Sequence, residues 1–175
     1  MSIVFQPYTA PVGPLLLAAR GDTLVGVELA ADEANLQADL HRRFKGEPVA
    51  PGVVSHRIIC ALDAYFAGDL AAVDAVEVDT GGTPFHREVW AALRRIPAGE
   101  TTTYGALARA LGRPTASRAV GMANGRNPVA IVVPCHRVIG SDGSLTGYAG
   151  GLPMKRWLLE HELAIEAPRP PLARP

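Results

Sequence analysis

Residues 129–137 read Val-Ala-Ile-Val-Val-Pro-Cys-His-Arg, and we take this stretch as the centre of the fold. Five consecutive apolar residues are typical of a short strand buried in a core. The run leads through Pro134 into Cys135, which predicts a thiol fixed at the end of a buried strand. His136 and Arg137 follow, and a nearby cation lowers the pKa of a thiol while an imidazole can take its proton. A buried structural thiol is the alternative, because neighbours on a strand point to opposite faces.

Two features downstream of the cysteine could complete a site. Residues 146–151 are glycine-rich but lack the lysine of a phosphate-binding loop, so we expect a pocket wall against a flat ligand. Residues 153–163 have a helical pattern that allows Glu162 to point inward, one turn after Leu158. An inward carboxylate needs a partner, and His136 is the obvious candidate. Cysteine, histidine and glutamate would then act as nucleophile, base and orienting group, whereas an exposed acid at the helix end is the alternative.

Upstream of the cysteine the sequence predicts a pair of short helices. Thr103 can cap a helix over 104–111, Gly112 can end it, and a second helix follows over 116–124. Two short helices around a tight turn form the helix-turn-helix pattern, although many helical proteins contain such a pair without binding DNA. Small residues in the second helix allow either close approach to a ligand or tight helix packing.

The first half of the chain predicts a small α/β unit. Its expected elements are strands over 15–19 and 23–29, helices over 31–44 and 55–66, and an edge strand over 71–79. Cys60 lies in the second of these helices, where we expect a buried apolar role. We therefore predict an α+β protein. Gly81-Gly82 separates an N-terminal domain at 1–80 from a C-terminal domain at 83–165, and a proline-rich tail occupies 166–175.

Composition and charge narrow the classes of protein further. Of the 175 residues 48% are apolar, and 17 basic residues balance 17 acidic ones, which excludes collagen-like, coiled-coil and disordered classes. Residues 1–85 carry five basic and eleven acidic residues, but residues 86–175 carry twelve basic and six acidic. This asymmetry favours an anionic partner for the second half, with ordinary surface scatter as the alternative. With no signal peptide or long apolar segment, we expect a cytoplasmic location and no membrane.

Several motifs occur together in one order. Residues 134–139 (Pro-Cys-His-Arg-Val-Ile) are preceded by 96–101 (Ile-Pro-Ala-Gly-Glu-Thr) and 118–121 (Arg-Ala-Val-Gly), and are followed by 147–152 (Gly-Tyr-Ala-Gly-Gly-Leu). On these motifs residues 83–163 resemble the O6-alkylguanine-DNA alkyltransferases, whereas the first half resembles their N-terminal domain only loosely. The resemblance implies a ribonuclease-H-like N-terminal domain and a C-terminal domain with a winged helix-turn-helix.

The resemblance also implies a reaction. Cys135 takes the alkyl group from O6 of a guanine, and also from O4-alkylthymine, in one irreversible turnover after the nucleotide is flipped out of the duplex. His136 generates the thiolate through a water, and Glu162 orients His136. Asn127 braces the active-site turn, and Tyr104 donates a hydrogen bond or proton to the guanine ring.

The same resemblance implies how substrate and DNA are held. The guanine contacts the carbonyls of Cys135 and Val138 and a loop formed by Tyr148, Ala149, Gly150 and Gly151. Arg118 enters the base stack, and its helix lies in the minor groove of double-stranded DNA. The other DNA-binding residues expected are Thr115, Ala116, Ser117, Ala119, Gly121, Asn124 and Arg126. Ala149 stands where some members have a serine, so the hydrogen bond to O6 would come from backbone alone.

The resemblance implies neither a cofactor nor a metal site, and a monomer that binds DNA singly or cooperatively. Two cysteines are also too few for a disulfide framework or a cysteine-rich zinc site. A non-enzymatic module that binds alkylated DNA is the first alternative; its known class carries tryptophan where this chain has Cys135. A cysteine hydrolase is the second alternative, although its histidine normally lies far from the cysteine in sequence.

Overall fold

The computed structural model describes residues 1–163, so the predicted tail at 166–175 and the end of the predicted second domain lie outside the described residues. The chain contains both helices and strands, which confirms the expected α+β class. No helix among residues 1–163 has the length and apolar character needed to cross a bilayer. The elements, in chain order, are β1 Ile3–Ala10, β2 Gly13–Arg20, β3 Thr23–Glu28, α1 Glu33–Arg43, β4 Val49–Pro51, α2 His56–Phe66, β5 Glu77–Val78, α3 Pro84–Leu93, β6 Thr102–Thr103, α4 Tyr104–Ala110, α5 Ser117–Gly125, β7 Val138–Ile139 and α6 Leu152–His161.

The first half forms a five-stranded sheet in the order β4-β1-β2-β3-β5. The three central strands are antiparallel, whereas β4 pairs parallel to β1 and β5 parallel to β3. The strands expected over 15–19 and 23–29 are confirmed as β2 and β3. Strand β1 was not predicted, because Pro7 interrupts its pattern. The proline is tolerated since β4 pairs only with residues 3–5 and leaves that edge open beyond them.

The edge strand expected over 71–79 is only partly correct. Residues Ala72–Ala75 form a 3-10 helix, and only Glu77–Val78 pair with the sheet. Val73 and Val76 are buried, but they belong to a turn and not to a strand. A 3-10 helix and a loosely alternating strand both bury residues at short intervals, so the valine pattern does not distinguish them.

Both faces of the sheet are covered. Leu16 and Ala18 of β2 pack under α1 in a small apolar cluster. Leu15 and Leu17 face the opposite way, into a larger cluster that also contains α2 and much of the second half. The apolar core is therefore continuous from the sheet to the segment that carries Cys135.

Helices α3 and α4 begin where their caps predict, whereas no side chain within residues 1–163 caps α5 or α6. The hydroxyl of Thr83 accepts a hydrogen bond from the amide of His86, with Pro84 in the first helical position, and that of Thr103 accepts from the amide of Ala106. Helices α4 and α5 are joined by a short turn after Gly112, which has a φ of +69°. The indole N–H of Trp90 donates to the carbonyl of Ala123 at 2.8 Å and fixes α3 against α5.

The strand expected over 129–133 is wrong. The segment is a buried turn in which the amide of Val133 donates to the carbonyl of Val129, and Ile131 has a φ of +73°. Positive φ is unfavourable for a β-branched residue, and complete burial of Ile131 is what holds it there. The amide of Val27 in β3 donates to the carbonyl of Pro128 and anchors the turn to the sheet. Hydrophobicity predicted burial correctly, but an apolar run does not distinguish a strand from a buried turn.

Replacing Trp90 with phenylalanine tests how α3 holds α5. The substitution removes a buried hydrogen bond and some core volume, so we expect the free energy of unfolding to fall by about 1–3 kcal/mol. Urea unfolding measures the change. Trp157→Phe is the control, because this indole N–H makes no hydrogen bond within residues 1–163, and its loss should be smaller. Equal losses would contradict the account.

Candidate active site

Cys135 lies in a 3-10 turn, Cys135–Arg137, and not at the end of a strand as expected. The turn follows directly from the buried segment 129–133 and sends three consecutive side chains into the interior in different directions. The Cys135 side chain lines a cleft of about 820 Å³ between the sheet half and the helical half. Sequence neighbours therefore reach one site without the opposite-face restriction that a strand would impose.

The imidazole of His136 contacts the carboxylate of Glu162 behind the cleft. Its Nε2 lies 2.8 Å from Oε1 of Glu162, and both side chains are fully buried. The inward orientation expected for Glu162 is confirmed. Arg137 binds the same carboxylate with two hydrogen bonds, from Nε to Oε2 at 2.9 Å and from Nη2 to Oε1 at 2.8 Å. The hydroxyl of Tyr65 donates to Oε1 at 2.7 Å.

These contacts decide the protonation of the pair. Burial alone raises the pKa of Glu162, but hydrogen bonds and charge from His136 and Arg137 outweigh burial and lower this pKa to about 2. Burial lowers the pKa of His136 by more than Glu162 raises it. At neutral pH the structure therefore holds a carboxylate and a neutral imidazole. Because a carboxylate only accepts hydrogen bonds, the imidazole proton lies on Nε2. Nδ1 is then a free base, and it has no hydrogen-bond partner within residues 1–163.

The environment of the Cys135 thiol does not lower its pKa, although the adjacent His136 and Arg137 predicted that it would. Burial raises its pKa, and the hydrogen bond with Asn127 and the charge of Lys155 offset this only in part. The adjacent cations were expected to lower the pKa, but His136 is neutral and the charge of Arg137 is directed to Glu162. The resting residue is a protonated thiol, so its chemistry requires a base.

Asn127 braces the turn that carries the cysteine. Its Nδ2 donates to the carbonyl of Val133 at 2.7 Å, and its Oδ1 accepts from the amide of Val129 at 3.0 Å. These two bonds close the buried turn, which satisfies backbone groups that no strand partner reaches. The geometry agrees with the bracing role that the family resemblance implies.

Lys155 holds the opposite side of the site and was not singled out from sequence. This lysine of α6 is fully buried and donates from Nζ to the carbonyls of Val138, at 2.6 Å, and Thr146, at 2.7 Å. It therefore joins β7 to the loop that bounds the cleft. The available signal was its spacing, since Leu158 and Leu159 follow it by three and four residues on the buried face of α6.

The cleft gathers many, but not all, of the residues expected to bind substrate or DNA. Those that line it are Cys135, Tyr104, Ser117, Arg118, Gly121, Asn124, Arg126, Asn127, Tyr148 and Ala149. Those outside its lining are Thr115, Ala116, Ala119, His136, Val138, Gly150, Gly151 and Glu162. The hydroxyls of Tyr104 and Thr146 share a hydrogen bond of 3.0 Å across the cleft.

Two residues of α5 differ in exposure. Arg118 is exposed at the cleft rim, where a side chain could meet a large ligand. Asn124 was expected to face DNA, but its side chain is 5% exposed and its Nδ2 donates to the Cys135 carbonyl at 3.4 Å. The sequence also missed the opposite wall of the cleft, which is formed by first-half residues that include Leu29, Asn35 and Leu36.

Cys60 does not have the buried role expected of it. Its side chain is exposed on α2, with Sγ 3.2 Å from Nε2 of His56 one turn earlier. The helical stripe that buries Ile58, Leu62 and Tyr65 leaves position 60 on the outer face. The chain thus has one buried and one exposed thiol.

Comparisons with known proteins agree with this arrangement. Residues 84–164 match the family model described as 6-O-methylguanine DNA methyltransferase, DNA binding domain. The chain is 48% identical over 169 residues to the methylated-DNA–protein-cysteine methyltransferase of Salmonella typhimurium, covering 93% of this chain and 96% of that protein. Among solved structures, the O6-methylguanine methyltransferase of Mycobacterium tuberculosis is 43% identical, with a TM-score of 0.77 and 96% of each chain covered. A structure of that organism's OGT in complex with DNA is 44% identical, with a TM-score of 0.76, 91% of this chain and 92% of that chain covered.

Fold and site thus define a protein in which a buried cysteine lies beside a histidine–glutamate pair and is joined to a pair of short helices. The chain belongs to the methylated-DNA–protein-cysteine methyltransferase family, whose relatives match it over nearly its whole length. This confirms the family and the enzyme class that the sequence motifs predicted.

The lowered pKa values make the stability of the fold depend on pH. The folded protein resists protonation at His136 below its ordinary pKa of 6.5 and at Glu162 between 4.5 and about 2, whereas the unfolded chain takes up both protons. The free energy of unfolding should therefore be greatest above pH 6.5 and fall as the pH is lowered toward 2. Urea unfolding at a series of pH values measures this. Glu33→Gln, an exposed acid on α1, should leave the slope unchanged. Stability that rises on acidification would be incompatible with the buried pair.

Proposed function

We propose that this protein repairs O6-alkylguanine, and also O4-alkylthymine, by transferring the alkyl group from double-stranded DNA to Cys135. The observation that carries the proposal is the neutral His136, held by the ionised Glu162 beside a protonated thiol in the wall of a large cleft. Family membership supports the reaction class, since the relatives are named for methylated DNA and a protein cysteine.

The chemistry follows from the protonation states. Nδ1 of His136 takes the proton of Cys135 through one water, as a general base. The thiolate then attacks the alkyl carbon on the side opposite O6. An S–C bond forms, the C–O bond breaks, and its electron pair goes to O6. As this charge develops the guanine takes up a proton from water, the imidazolium of His136 returns its proton to water, and the hydroxyl of Tyr104 donates a hydrogen bond to the ring. Lys155 stabilises the thiolate by charge.

The guanine is recognised mainly by backbone groups. The carbonyls of Cys135 and Val138 accept hydrogen bonds from its exocyclic amine. Lys155 donates to the carbonyl of Val138, whose oxygen has a second lone pair. The carbonyl of Cys135 accepts from the amide of Val138 and, at 3.4 Å, from Asn124, so the guanine amine takes the place of the long Asn124 bond. Tyr148 and Ala149 wall the cleft, and we assign the hydrogen bond to O6 to a backbone N–H of this loop. Gly150 and Gly151 continue the loop outside the cleft lining, where the N–H of Gly151 donates to the carbonyl of Tyr148.

The product explains why the reaction ends after one turnover. A thioether is a stable bond, and no second thiol lies in the cleft to displace the alkyl group, because the other cysteine within residues 1–163 is on the exposed face of α2. Each molecule therefore acts once, without a cofactor.

We assign DNA binding to α4 and α5 as a helix-turn-helix, with the β6–β7 pair in the place of its wing. Between residues 101 and 159 there are seven basic residues and one acidic residue, which suits a phosphate backbone. Helix α5 enters the minor groove, and Arg118 occupies the space left by the flipped nucleotide. The flanking contacts are assigned to Thr115, Ala116, Ser117, Ala119, Gly121 and Arg126. We assign the five-stranded sheet half to the ribonuclease-H-like type and the active protein to the monomer.

Transfer to Cys135 is tested with a duplex that carries isotope-labelled O6-methylguanine. The label should appear on the peptide that contains residue 135, at no more than one equivalent per protein. Cys135→Ser should abolish transfer and keep DNA binding, because the cleft and α5 remain. Cys60→Ser is the matched control and should react like the wild type. Label on Cys60, or turnover beyond one equivalent, would refute the assignment, and binding without transfer by the wild type would favour the non-enzymatic alternative.

The role of Arg118 is tested by comparing two substrates. Arg118→Ala should slow repair of the duplex about 10-fold or more, because stabilising an extrahelical base is worth a few kcal/mol. Reaction with free O6-benzylguanine, which needs no flipping, should change less than twofold. Arg57→Ala removes an exposed charge of α2, outside the cleft and outside the residues assigned to DNA, and serves as the control. Equal losses with both substrates would reject a role in flipping.

A further inference from the structure

Tyr65 is a residue of the sheet half that contacts the His136–Glu162 pair. Its hydroxyl donates to Oε1 of Glu162 at 2.7 Å across 97 positions of sequence. Tyr65 is fully buried, near the C-terminal end of α2 and on the same face as Ile58 and Leu62. No other residue of the first half makes a side-chain hydrogen bond to the His136–Glu162 pair within residues 1–163.

We propose that Tyr65 is a positioning residue for alkyl transfer: through its hydroxyl, the first half of the chain holds the Glu162 carboxylate in the orientation that His136 requires. This inference rests on the proposed function, because it gives His136 the role of base. It adds to the site a residue of the first half, to which no role was assigned from sequence.

The geometry at Oε1 supports this role. Three donors converge on that one oxygen: Tyr65 Oη at 2.7 Å, His136 Nε2 at 2.8 Å and Arg137 Nη2 at 2.8 Å. Within residues 1–163, Oε2 accepts only from Arg137 Nε. Tyr65 therefore shares with His136 the atom that sets the imidazole tautomer. It removes negative charge from that oxygen and, with Arg137, fixes the rotation of the carboxylate plane.

If Tyr65 had only a structural role, its aromatic ring would fill that role and its hydroxyl would not be needed. The Tyr65 ring makes edge contacts with Phe66, at a centroid distance of 5.1 Å, and with His161, at 5.2 Å. The carbonyl of Tyr65 also accepts from Nε2 of His161 at 2.8 Å. All of these contacts survive in Tyr65→Phe. This variant therefore separates the hydroxyl from the packing.

Loss of the hydroxyl has a defined electrostatic direction. Oε1 then carries more negative charge toward His136, which favours the imidazolium and raises the pKa of His136. The other titratable or charged groups around the pair are the same in the wild type and in Tyr65→Phe. They therefore do not cause the difference in the pKa of His136 between the two proteins. These groups are Arg137 on the same turn, Lys155 and His161 on α6, Cys135, and Tyr148 on the loop.

The test uses the full chain as Tyr65→Phe, with Tyr8→Phe as the matched control. Tyr8 donates to Asp63 of α2 over the same distance, 2.7 Å, but on the exposed side and away from the site. Tyr65→Phe should lower the rate of alkyl transfer at pH 8 about three- to tenfold, because the base is less well oriented. It should also move the acid limb of the pH–rate profile upward by about 0.5 pH unit, since His136 must be neutral to act.

An NMR titration of the histidine side chains supplies a readout that does not depend on transfer. The His136 signal is assigned with His136→Gln, and its pKa should rise in Tyr65→Phe and stay constant in Tyr8→Phe. An unchanged pH–rate profile and an unchanged His136 titration in Tyr65→Phe would overturn the proposal and leave a structural role. If the wild type and Tyr8→Phe both fail to transfer an alkyl group, the proposed function fails instead, and the titration alone decides whether Tyr65 acts on the pair.

Discussion

The carboxylate of Glu162 is the constraint on which the site depends. It is an ionised group removed from water, and a buried charge is tolerated only when its hydrogen-bonding capacity is filled. Four hydrogen bonds fill it, from Tyr65, His136 and two nitrogens of Arg137. The donors lie on α2 and on the 3-10 turn Cys135–Arg137, and the carboxylate that accepts from them lies at the end of α6. A single anion therefore fixes the relative position of three elements, and it also decides which imidazole nitrogen of His136 remains free.

The Cys135 thiol is held in its neutral form, whereas the Glu162 carboxylate is held in its charged form. Its burial favours the neutral form, so Cys135 is not a reactive thiolate at rest. The charge of Lys155 favours ionisation without achieving it, and His136 is the base that we propose completes it. In the proposed reaction this arrangement keeps the thiol unreactive until a substrate fills the cleft. Cys60 differs from Cys135, because its thiol is exposed and no histidine–glutamate pair lies beside it within residues 1–163.

Sequence reasoning predicted the local parts of this structure well. Caps at Thr83 and Thr103 set the starts of α3 and α4, and the spacing of Glu162 from Leu158 allowed an inward orientation, with an exposed acid as the alternative. It failed where distant segments decide the outcome. The apolar run 129–133 folds as a turn because Asn127 and the sheet satisfy its backbone, which hydrophobicity does not encode. The contact of Tyr65 with Glu162 joins residues 97 positions apart, and no periodic pattern spans that distance.

The central claim is that Glu162 holds His136 neutral with its proton on Nε2, leaving Nδ1 free to take the proton of Cys135. Nitrogen-15 NMR of the full chain with labelled histidine tests this claim directly at pH 7.5, because the chemical shifts of the two ring nitrogens distinguish the tautomers. The account predicts a protonated Nε2 and an unprotonated Nδ1 for His136. A proton on Nδ1, or an imidazolium at that pH, would contradict it.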